Sequence, residues 1–150
     1  MLKISPSGPV VQVAVMVSSA RRKALEEAGD PIPDAQQITG LIDTGASISG
    51  VDPSVLAALN LAPTGEAEIH TPSTKGNAVK ADTYDVQIGI YAGRPGDLHF
   101  ISDTIQVTST VMTGQSIQAL IGTDILKSCI FIYNGADGFY TLAHYCPVND

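Results

Sequence analysis

Short β-rich runs, each stopped by a turn residue, constrain this chain more than anything else in it. The runs at 10–17, 38–42, 84–90, 104–112, 130–133 and 139–142 are dominated by Val, Ile, Thr and aromatic residues. Glycine, proline, asparagine or aspartate separates most of them. In the run 84–90, Tyr84, Val86, Ile88 and Ile90 recur with period two, the pattern of a strand with one buried face. With 14 glycines and nine prolines in 150 residues, and only 15% charged side chains, long solvated helices are disfavoured. The expectation is a mainly β fold, closed rather than open.

Two hairpins and up to three short helices complete that reading. Asn134-Gly135 between the last two runs is a strong hairpin signal. The β-like stretches 66–72 and 79–90 flank a small polar tip, Ser73-Thr74-Lys75-Gly76-Asn77, giving a second hairpin across 66–90. Ser18 can cap a helix that Gly29 ends, and Pro31 and Pro33 forbid its continuation. Residues 18–36 therefore read as an excursion from the sheet, and 1–150 as one domain. Asp52-Pro53 opens a second helix, and residues 123–127 form a third.

Composition excludes several functions. A formal charge of −7 argues against binding nucleic acid or an anionic membrane, since both need a basic face. No apolar run is long enough to span a bilayer, and residues 1–5 lack a secretory leader, so a cytoplasmic location is expected. Cys129 and Cys146 have no metal-ligand spacing and read as free thiols, with a single disulfide left open. His70, His99 and His144 share no such spacing either, and no metal or cofactor is implied.

The informative segment is Leu41-Ile42-Asp43-Thr44-Gly45-Ala46-Ser47. It resembles the retropepsin family of aspartic peptidases, whose signature is an apolar pair followed by Asp-Thr-Gly-Ala. A second family element, an apolar pair and glycine opening a short helix, is matched by Leu120-Ile121-Gly122. The resemblance covers most of residues 10–142. It implies a retropepsin-like β-barrel with Asp43 as the catalytic carboxylate. Thr44, Gly45, Ala46 and Ser47 would support it, Leu120, Ile121 and Gly122 would pack beneath, and Ser73, Thr74, Lys75, Gly76 and Asn77 would form a substrate-covering flap. Ser47 departs from the viral pattern and resembles cellular relatives, where a hydroxyl at this place bonds the catalytic carboxylate.

The chemistry such a motif serves needs two carboxylates. Like charges held close cannot both ionise, so the pair shares one proton. One oxygen activates water while the protonated one polarises the scissile carbonyl. Asp-Thr-Gly occurs once in this chain. The resemblance therefore implies a homodimer acting on a peptide or protein substrate, with residues 139–143 contributing to the interface. A barrel that binds peptide or dimerises without cleaving is the alternative.

Overall fold

Strand pairing closes the chain into a ring. The computed structural model describes residues 1–70, 75–93, 99–112 and 116–145. The elements begin with β1 (Leu2–Lys3), β2 (Val10–Val17), α1 (Ser19–Ala28), β3 (Gln36–Ile42), β4 (Gly50–Val51) and α2 (Pro53–Ala58). Then come β5 (Gly65–Ile69), β6 (Val79–Tyr91), β7 (Phe100–Ile101), β8 (Ile105–Ser109) and β9 (Ala119–Ile121). Helix α3 (Thr123–Leu126) leads to the hairpin of β10 (Cys129–Asn134) and β11 (Phe139–His144).

Six strands in the order β2-β3-β9-β4-β8-β6 form the ring, which closes because β6 pairs back onto β2. The ladder is mixed: β3–β9 and β4–β8 run parallel and the other ring pairs antiparallel. Strands β5 and β7 hang from β6 outside it. A separate sheet, β1-β11-β10, has β11 at its centre. At a coarse level this closed barrel, with three short helices among the described residues, is consistent with the retropepsin-like architecture.

Alternation decides what the ring encloses. Val11, Val13, Val15 and Val17 of β2 and Val86, Ile88 and Ile90 of β6 are at most 2% exposed, so β2 and β6 meet through one continuous apolar face. Full burial of each such side chain contributes about 1.5–3 kcal/mol. Helix α2 adds Val55 and Leu56 to the same core, and β11 adds Tyr140 and Leu142. Burial pushes the Tyr140 phenol up to about 12, so its hydroxyl stays protonated and donates to the Val10 carbonyl. That bond fixes the second sheet to the barrel wall.

Local signals account for the helices. Ser18 caps α1 through the Arg21 amide, and the helix stops at Gly29. Asp52 caps α2 with Pro53 in the first turn. The two-residue strands β1 and β4 were invisible in the sequence because neither is long enough to carry a period.

Candidate active site

Asp43 sits at the end of β3, beside β9. Leu41 pairs with Leu120 and Ile42 with Ile121, and the Asp43 amide extends the ladder by donating to the Ile121 carbonyl at 2.9 Å. Two segments 79 residues apart in sequence are thus neighbours in one parallel pair. The Gly45 amide donates to Asp43 Oδ1 at 2.9 Å, and the Ala46 amide to the Asp43 carbonyl at 3.2 Å. An ideal Cβ on Gly45 would stand 3.2 Å from that same carboxylate oxygen, tight enough to disfavour a side chain. Asp43 is partly exposed and Thr44 and Gly45 are exposed, so the loop presents its carboxyl to solvent. Ser47 is exposed too, and among the described residues the hydrogen bond to the Asp43 carboxyl comes from Gly45, where the resemblance implied a Ser47 hydroxyl.

Beneath the loop lies a brace that sequence reasoning missed. Ser49 is fully buried; its amide donates to Asp124 Oδ2 at 2.9 Å and its hydroxyl to Asp124 Oδ1 at 2.7 Å. The same hydroxyl accepts from the Gly122 amide at 2.9 Å. Asp124 Oδ1 also takes the Ile125 amide in the first turn of α3, where an anion is favoured. Gly122 is needed for close approach: an ideal Cβ there would fall 2.6 Å from the Ala46 carbonyl oxygen, which itself accepts from the Thr123 amide at 2.8 Å. A serine four residues past Gly45 and an aspartate two past Gly122 were the available signals. Nothing local distinguishes a buried serine from an exposed one.

A second acid locks α2 to the wall. Asp52 Oδ1 accepts from the Ser54 hydroxyl and amide, at 2.6 and 2.9 Å, and Oδ2 from the Met112 amide at 2.9 Å. The Ser54 hydroxyl bond, the Met112 amide and the Ser54 amide together hold its pKa below the ordinary carboxylate value, against an opposing push from burial.

The hairpin over residues 66–90 is β5 paired with the first part of β6, from Gly65↔Thr83 to Ile69↔Val79. Lys75 and Gly76 turn its tip with φ of 48° and 83°, and with Asn77 they are exposed; Ser73 and Thr74 lie outside the described residues. Register connects this hairpin to β3, the strand that leads into Asp43. Gly65, Thr83, Thr108, Gly50, Leu120 and Leu41 are successive cross-strand neighbours. Leu41, at the end of this row, is two residues before Asp43, and the row alternates with the core residues Ile38 and Ile42 of β3. Within the row, the buried Thr83 hydroxyl has no hydrogen-bond partner among the described residues. No group of three or more His, Cys, Asp or Glu among the described residues is placed to hold a metal ion.

No protein-family model matches the chain, and no curated protein matches it. Among solved structures, it is similar to a foamy viral protease–reverse transcriptase in complex with double-stranded DNA, with 19% identity and a TM-score of 0.44. A foamy viral protease–reverse transcriptase in complex with an RNA/DNA hybrid gives 17% identity and a TM-score of 0.42. Each match covers 79% of this chain but only 15% and 12% of the viral chains, respectively.

Proposed function

We propose that this chain is one half of an aspartic-type endopeptidase, completed when two copies bring Asp43 and its counterpart together across a two-fold axis. The observation that carries the reading is the Asp43 loop: a partly exposed carboxyl oriented by the Gly45 amide, on a turn bonded to Ile121 and Thr123. Preorganisation of this kind suits general acid–base catalysis, where the carboxyls must meet water and the scissile carbonyl at hydrogen-bond distance. Thr44, exposed at the tip of the turn, is available to bond its counterpart in the second copy. Residues 75–77 at the hairpin tip would cover a bound peptide. The chemistry draws on the carboxyl pair and water alone, with no cofactor.

Cleavage of a diverse peptide library, followed from acidic to neutral pH with wild type beside Asp43→Asn, tests this. Asn cannot share or transfer the proton, so turnover should fall by about 10²–10⁴-fold while the far-ultraviolet spectrum is unchanged. Equal cleavage by both proteins, or none by either at high concentration, overturns the reading.

A further inference from the structure

Residues 100–105, which carry β7 into β8, face α3 and the end of β11 across a cavity of about 480 Å³. That volume suits a small molecule, and none of residues 43–47 lines it. One wall is aromatic: the Phe100 and His144 rings stack with centroids 4.7 Å apart and planes 25° from parallel. His99 steadies that pair, since its Nε2 accepts from the His144 amide at 3.1 Å and its ring meets Phe100 edge-on. Ile105 and the buried Ile125 add aliphatic surface.

Three charged side chains also line the cavity: Asp103, Asp124 and Lys127. Asp124 is committed, because both carboxylate oxygens accept from Ser49 and one also takes the Ile125 amide. Asp103 and Lys127 are exposed, and among the described residues neither makes an ion pair, with the other or elsewhere. One cation and one anion thus border a partly aromatic cavity without neutralising each other. A ligand matching that arrangement carries both signs on a small body with a flat apolar group.

We infer that the cavity binds a free α-amino acid with an aromatic side chain. Lys127 takes its carboxylate, Asp103 its ammonium, and the ring lies against Phe100 and His144. Occupancy is linked to the Asp43 loop through Asp124, which lines the cavity and holds Ser49, the residue that accepts from Gly122. Binding of this kind needs neither a second copy nor cleavage, so it stands or falls apart from the peptidase reading.

Titration of isotope-labelled protein with L-phenylalanine, followed through its amide resonances, tests this. Saturation should give a Kd on the order of 0.1–1 mM, as expected for so small a ligand. Shifts should cluster at residues 100–105 and 124–128 and reach the Ser49 and Gly122 amides. Hydrocinnamate lacks the ammonium and phenethylamine the carboxylate, and each should bind about tenfold more weakly. Lys127→Met should weaken L-phenylalanine about tenfold and leave phenethylamine unchanged, while Asp103→Asn weakens L-phenylalanine and leaves hydrocinnamate unchanged. Both side chains are exposed, so the resonances of the barrel core should show each variant folded. No shift at about 10 mM L-phenylalanine overturns the proposal. So do shifts confined to other residues, or variants that bind L-phenylalanine as wild type does.

Discussion

The Asp43 loop and the β10 strand are opposites in how their polar groups are satisfied. Around Asp43, the Ser49 hydroxyl makes two bonds, the Ala46 carbonyl accepts the Thr123 amide, and Asp43 itself is held by backbone on both sides. On β10, a row of backbone groups along one edge has no partner among the described residues, beside isoleucines that are half exposed. The first region is complete in one chain; the second is not. Under the proposed function, the contrast suits a site whose geometry is set within one chain and whose second carboxyl would come from a partner.

Three substitutions sharpen the comparison, the largest effect on stability first. Ser49→Ala should remove both hydroxyl bonds and strand the buried Gly122 amide, costing about 2–3 kcal/mol. In a chain of this length that lowers Tm by roughly 5–10 °C, readable by calorimetry. Activity should drop with it, since Gly122 would no longer be held against the loop. A Tm within a degree of wild type would mean the brace is dispensable.

Asp52→Asn should cost less, about 1–2 kcal/mol at neutral pH, because the Asn oxygen still caps the helix through Ser54 while its NH2 group cannot accept from the Met112 amide, so that bond is lost. The pH dependence carries a sign. The folded pKa of Asp52 lies below its ordinary value of 3.8, so its stabilisation is fully present above that value and is lost as pH falls through the lower, folded one. The gap between wild type and Asp52→Asn should therefore hold through mildly acidic solution, where a proton-sharing pair works, and close only in strong acid. Urea titrations over that range measure it. A gap that closes already near neutrality would contradict the assigned hydrogen bonds.

Ile132→Lys should scarcely move the Tm of the isolated chain, because the residue is 58% exposed. A large loss of stability would instead place Ile132 in an intramolecular contact.

The strands long enough to show a period, including β2, β3 and β6, were legible in the sequence, as were the caps at Ser18 and Asp52. So was the turn that follows Ile42, and the closeness of 41–42 to 120–121. Features set by distant partners were not. Strands β1 and β4 exist only because β11 and the β8–β9 pair supply their hydrogen bonds. The Ser49–Asp124 brace joins side chains 75 positions apart. Which strand of the last hairpin lies at the sheet edge depends on β1, a two-residue strand that pairs with β11.

The central claim is one carboxyl per chain and two chains per site, and a mixing experiment tests it most directly. A fixed amount of wild type is equilibrated with increasing Asp43→Asn, at a concentration where both are assembled, and activity per wild-type chain is followed. Random exchange into two-fold dimers predicts a fall in proportion to the wild-type fraction, to about half at equal amounts. Activity per wild-type chain that stays constant throughout would mean that one chain is sufficient, and would contradict the account.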